Sequence, residues 1–250
     1  RLRDALGAAA ERPDLIGEAY PAAVALGAWS FTDQRYGDAV EAWAIAERTA
    51  EGANGDTAFA RAYANIGIAA SLIMDSAGAR MRPREVERAA TALAAAVSVY
   101  ERHVSTGSAE TLTPVQNAYA QALAWRAALS AKLRSDDMNV PPEIASNAVW
   151  EIGEPVDQRP ACHLELAEHP RIRYPERMQN QSGVGSVIVH LRTDDVGVVT
   201  TRRVVAAVGA SFARSVDDLE SDWRMRRRES SPPGCRLATS YFTTVVFMLR

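Results

Sequence analysis

Apolar residues recur every three to four positions through the first 134 residues, with alanine filling most of the places between larger side chains. That period puts one apolar stripe along a helix. The spacing predicts helices over residues 3–11, 20–31, 36–50, 57–73, 83–104 and 114–134. One start has a clear cause: Thr113 can cap, Pro114 suits the first helical position and Gln116 can close a capping box. Glycine-containing polar breaks, EGANGD at 51–56 and HVSTGSAET at 103–111, separate the helices. From residue 183 the period becomes two. Val187, Val189 and Leu191 fall on one face of a strand, with Ile188 and His190 on the other. TDDVG at 193–197 supplies a turn, and VVTTRRVVAAV at 198–208 returns as the second strand of a hairpin. Residues 212–223 return to helical spacing, with Phe212, Val216, Leu219 and Trp223 in one stripe. CRLATSYFTTVVFML at 235–249 reads as a long last strand in which Val245, Phe247 and Leu249 alternate with Val246 and Met248. Between the halves, proline and acidic residues break the pattern, and AVWEI at 148–152 adds one short strand.

The fold class that follows is two domains. Antiparallel helical hairpins at 1–138 are followed by a linker at 139–159. A small α+β domain at 160–250 then has an antiparallel three-stranded sheet and a packed helix. Within the first half, Leu26 and Gly27 are followed by Tyr36, Ala39, Trp43 and Ala46. Small residues one turn from large ones let helices approach closely, so Gly27 and Ala39 are expected at the approach. YANIG at 63–67 repeats the pattern with Tyr63, Ile66 and Gly67, and its partner helix follows MDSAGARMRPRE with Ala96 and Tyr100. A third unit holds Tyr119, Leu123 and Trp125. This pattern resembles the tetratricopeptide repeat. The resemblance implies stacked hairpins with a concave surface for a peptide or another protein. Trp43, Tyr63, Tyr100, Tyr119 and Trp125 are expected in the core.

The second half carries another resemblance. Tyr174 and Pro175 precede a short helical ERMQNQ. Gly185, Val187, Val189, Leu191, Asp195, Gly197 and Val199 follow in order, then VDDLESDWRM with Trp223, Arg224 and Met225, and finally VVFML. Residues 160–250 resemble the C-terminal domain of TonB-family energy transducers. Met225 stands where that family has an aromatic, and RRRESSPPGC is longer and more basic than its counterpart. The resemblance implies a periplasmic protein that joins an inner-membrane motor to outer-membrane transporters. It would accept a transporter segment as an added strand. Tyr241, Thr243, Val245 and Phe247 on the last strand are the expected partner-binding residues, with Tyr174 and Pro175 bracing the approach. The last strand is read as a sheet edge, so proline at Thr243 or Val245 should abolish binding. The same edge could pair with a second copy in a homodimer. Gly27, Ala39, Gly67, Gly185, Gly197 and Trp223 are the expected structural positions. The chain opens RLRDAL without methionine, from which an upstream segment is expected; an inner-membrane anchor there would be needed to reach the motor. The other reading is a periplasmic adaptor or scaffold that uses the repeats to recruit an envelope protein.

Composition changes this picture little. Of 250 residues, 47% are hydrophobic and 24% charged, as in ordinary globular proteins. No apolar stretch is read as reaching the roughly 20 residues that span a bilayer. The net charge of −3 argues against a nucleic-acid binder, so Arg226, Arg227 and Arg228 are read as a solvated strand or loop after a buried Trp223. Cys162 and Cys235 are the only cysteines; a disulfide would suit an oxidising compartment, and two separate buried thiols are the alternative. Cys162, His163 and His169 match no metal-site spacing, and His103 and His190 are read as surface residues. Ser211, Ser215 and Asp217 lack a nearby histidine for a nucleophilic triad. No catalysis, metal or cofactor is expected.

Overall fold

Six helices form where the apolar stripe runs: α1 (Leu2–Ala10), α2 (Ile16–Thr32), α3 (Tyr36–Arg48), α4 (Thr57–Asp75), α5 (Pro83–Glu101) and α6 (Pro114–Ser135). The structure, a computed structural model, describes residues 2–53, 55–104, 111–145, 149–153, 157–168, 172–179, 183–194, 198–217, 223–237 and 240–248. The capping box at α6 is present: Gln116 N donates to Thr113 Oγ1 at 3.2 Å, and Thr113 N donates to Gln116 Oε1 at 2.9 Å.

The helices pack as antiparallel hairpins, and one indole organises α2, α3 and α4. Trp43 on α3 is buried against Gly27 of α2 and Gly67 of α4. A Cβ on Gly27 would lie 2.8 Å from the ring, and one on Gly67 would collide outright. Both glycines are there because the ring leaves no space for a side chain. Ala39 is fully buried one turn before Trp43. Helix α4 is long and apolar enough to cross a membrane by length and composition, which the sequence reading did not anticipate. Its residues Ala64, Ile68, Ala69, Leu72 and Ile73 lie in the core shared with α3 and α5.

The α+β part follows. Its strands are β1 (Val149–Glu151), β2 (Leu164–Glu168), β3 (Gly185–Thr193), β4 (Val199–Val208), β5 (Arg224–Arg227) and β6 (Ser240–Phe247). Helix α7 is the short turn Glu176–Gln179 after Tyr174 and Pro175, and α8 is Ala210–Asp217. Strands β3, β4 and β6 form the expected antiparallel sheet, and β1 adds a fourth strand in the order β1-β6-β3-β4. A separate ribbon pairs β2 with β5.

Each face of the sheet is covered. Val187, Val189, Leu191 and Phe247 meet Phe212 and Val216 of α8, with Trp223 and Met225. On the other face, Ile188, Ala206, Val208 and Phe242 share a core with Tyr119, Leu123 and Ala124 of α6. Ser186 Oγ donates to the Ala124 carbonyl at 2.5 Å across this joint. Covering both faces corrects the reading of His190. It is 4% exposed, and its Nε2 lies 2.6 Å from Ser240 Oγ. Alternation looked like a half-exposed strand, but α6 buries the second face.

The other differences are local. The final strand begins at Ser240 rather than Cys235; Arg236 instead makes an isolated bridge with Ala161. The helix read over 212–223 is described over Ala210–Asp217, and Trp223 leads into β5. Asp195, Gly197, His169, Leu219 and Leu249 lie outside the described residues. Cys162 and Cys235 are joined in a disulfide with Cα atoms 5.0 Å apart. Beside it, Arg236 is 8% exposed and pairs with Glu151 at 2.6 Å.

Candidate interaction site

The arginine run resolves into strand chemistry. Trp223 and Met225 point into the core, while Arg224, Arg226 and Arg227 face solvent. Arg226 and Arg228 pair with Glu165 on β2, the latter at 3.5 Å. This is a solvated, partly paired face. Trp223 is 3% exposed, with the Arg202 guanidinium 5.9 Å above its ring.

Strand β6 is the expected docking strand, and the structure divides it in two. β3 lies along one side of its whole length. On the other side β1 pairs Val149 with Thr243, Trp150 with Phe242 and Glu151 with Tyr241. Tyr241 and Thr243 are therefore inside the sheet, not on an edge, which corrects their expected role. Among the described residues no strand flanks the outer side of Thr244–Phe247.

Strand parity says which groups face out. Ile152 N donates to the Ser240 carbonyl at 3.1 Å, so Ser240 directs its backbone groups toward β1. Alternate residues do the same, which sends the N–H and C=O of Thr244 and Val246 outward. Those of Thr243 and Val245 point to β3. Proline at either expected test position would thus break the sheet itself rather than an added strand.

A groove of about 450 Å³ runs beside this open stretch, between Thr244–Met248 and a wall of Leu166, Ile172 and Tyr174. Tyr174 donates to the Gly183 carbonyl, and its ring meets Phe247 at 6.1 Å and Phe212 at 5.5 Å. Pro175 follows it and opens α7. Gly185 begins β3 under Phe212, where any Cβ would collide with the ring. The buried Thr244 Oγ1 has no hydrogen-bond partner among the described residues.

The helical array has a second concavity. Two pockets line it, one of about 520 Å³ at the N-terminal ends of α2, α4 and α6 and one of about 390 Å³ beyond, and they share Tyr63 and Ala118. Trp43, Tyr100 and Tyr119 are buried as expected, but Tyr63 is 48% exposed in the groove. Trp125 is half-buried and meets Phe31 edge-on at 6.1 Å. Nothing in the spacing separates these two from core aromatics; only the curvature of the array does. Among the described residues no cluster of three His, Cys, Asp or Glu side chains could hold a metal ion.

A helical-hairpin array joined to a small α+β domain, with a strand edge partly unpaired among the described residues, is consistent with a protein-interaction or scaffold module. No protein-family model matches the chain, and neither a curated protein nor a solved structure matches it significantly.

Proposed function

We propose that this protein captures an extended segment of a partner as an added strand on the outer side of Thr244–Phe247. The observation that carries this reading is the half of β6 whose outer side no described strand pairs, with outward backbone groups at Thr244 and Val246 beside an apolar groove. An unpaired strand edge is a template for another chain. Because β1 stops the open stretch at Thr243, the captured segment is short. Its alternate side chains enter the groove against Tyr174 and Ile172.

The order of residues that resembles the TonB-family domain supports a periplasmic transducer as the finer reading. Outer-membrane transporter segments would be its partners, and an inner-membrane motor would be reached through an upstream anchor. The disulfide suits an oxidising compartment. No catalytic step is part of this role. The adaptor reading is favoured by a different observation, the core that the sheet shares with α6. A domain docked onto the helical array suits a scaffold. The same edge would also admit a second copy of the chain.

Calorimetry with N-terminal segments of the host's outer-membrane transporters tests the proposal on the full chain. Val246→Pro removes an outward N–H that no described strand uses, so the variant should fold and lose binding. Binding retained by folded Val246→Pro would sink strand addition at this edge. No binding by the folded parent chain would put the adaptor reading ahead, and a concentration-dependent doubling of mass lost in Val246→Pro would indicate self-pairing.

A further inference from the structure

We propose that the larger pocket of the helical array binds a lysine or arginine side chain presented by an extended segment of a partner protein. This rests on the helical array alone and is independent of strand addition at β6.

The pocket lies where α2, α4 and the start of α6 come together, and it is walled by aromatic rings: Tyr20, Phe59, Tyr63 and Tyr100. Phe59 stacks on Tyr100 at 5.7 Å, and Tyr63 is held edge-on to Trp43 at 5.5 Å, which leaves it exposed to the groove. Ring faces carry negative electrostatic potential and attract cations. Tyr20 donates its hydroxyl to the Ala60 carbonyl at 3.3 Å, so its oxygen lone pairs remain available. Burial, and then the nearby Tyr20 and Tyr63, raise the Tyr100 pKa to about 12, so Tyr100 stays neutral near pH 7.

Two acceptors stand at the pocket beside the rings. Among the described residues Asp56 is the only charged one lining it. Its Oδ1 accepts the Ala58 N–H at 2.7 Å as the cap of α4, and among the described residues its other oxygen has no partner. Pro21 sits inside α2 and has no N–H, so the Gly17 carbonyl lacks its usual helical donor. Gly17 and Pro21 both line the pocket. A carboxylate, a freed carbonyl and aromatic faces, with no lysine, arginine or histidine among the described lining residues, suit a cation.

One effect works against this. Helices α2, α4 and α6 all begin at the pocket, and helix N-termini favour anions. Caps on two of them oppose it: Asp56 occupies an N–H of α4, and the Thr113–Gln116 box occupies one of α6. The full charge of Asp56, together with the C-terminal end of α5 at Tyr100, then offsets the partial charges of the three helix starts and leaves the aromatic faces to favour a cation. The second pocket continues the groove past Tyr63 with Phe31, Ile66 and Trp125. A partner segment would therefore place a basic side chain in the first pocket and an apolar one in the second.

The test is a titration of the full, isotope-labelled chain followed by amide chemical shifts. The probes are the N-acetyl methylamides of arginine, lysine, citrulline and glutamate. Arginine or lysine should give saturable shifts at Gly17, Gly52, Gly55 and Ala60, and citrulline and glutamate should not. Asp56→Asn keeps a competent cap and should weaken the basic probe at least about fivefold. Tyr63→Leu, on an exposed ring, should weaken it as well. Equal binding of citrulline, preferential binding of glutamate, unchanged affinity in Asp56→Asn, or no saturable shift with either basic probe would each overturn the proposal.

Discussion

The two halves of this protein seat an aromatic ring on glycine in the same way but are otherwise held together differently. In the helical half, Trp43 fills the space between Gly27 and Gly67, and its surroundings are alanine-rich helices adjacent in sequence. In the sheet half, Phe212 covers Gly185 and Gly209, but the strands that meet there come from distant parts of the chain. Strand β5 returns to β2 across about sixty residues, and a disulfide closes a separation of 73. Local contacts let a helical array assemble from neighbours; long-range pairing carries a larger loop-closure cost, which a covalent link reduces.

The largest way to break the comparison is at Trp43. Trp43→Ala should cost about 3–5 kcal/mol, because three helices lose their common contact and two glycines cannot fill the cavity. Chemical denaturation followed by far-ultraviolet circular dichroism measures it. A loss below about 1 kcal/mol would show that the helices collapse onto the vacated site.

Replacing both cysteines by alanine should cost the sheet half about 4 kcal/mol by the loop-entropy relation. The helical half contains no cysteine, so its intrinsic stability should not depend on reductant. Reduction that lowers the unfolding midpoint of sheet probes such as Trp223 before helical signal is lost would sharpen the contrast. Equal lowering of both would mean that the halves unfold as one unit.

How far the two halves were legible follows the same division. Helix boundaries agreed to within a few residues because stripe, caps and breaks are local signals. The Trp43–Gly27–Gly67 arrangement was anticipated only in part: small residues at the approach were visible, but not that one ring fills both gaps. In the sheet half, alternation located β3, β4 and β6. The pairing of β1 with β6 was not legible, because three residues carry no register signal of their own. That pairing moved the open edge away from Tyr241 and Thr243. The ribbon partner LELAE at 164–168 was missed because its alternation is short and half-charged. The concave groove had no sequence signature beyond the resemblance to repeats, since its aromatics recur at core spacing.

Acid offers a third, smaller contrast. Burial, with Arg192 and Arg203 nearby, lowers the His190 pKa to about 4. An unfolded histidine titrates near 6.5. The folded state therefore resists protonation, and the unfolded state binds the extra proton between these values. Stability from neutral His190 is fully present above about pH 6.5 and is lost as pH falls toward 4, by about 3 kcal/mol. The dependence should disappear in His190→Gln; a parent-like pH slope in that variant would assign the effect to the carboxylates instead.

The smallest expected effect is at the joint itself. Ser186 on β3 donates to the Ala124 carbonyl of α6, and the bond is buried. Ser186→Ala should cost about 1 kcal/mol, since Ala124 keeps its carbonyl in the helix and no charge is stranded. Its value lies in the shape of the transition. Around this bond Ile188 and Phe242 meet Tyr119 and Leu123, and that apolar contact is the larger part of the joint. If the apolar contact couples the halves, Ser186→Ala lowers one midpoint and leaves a single transition. If the hydrogen bond is decisive, unfolding separates into two steps, the reducible sheet first. The first outcome suits a scaffold whose docking edge is held in a fixed place on the array; the second would let the sheet part company with the helices when a partner pulls on β6.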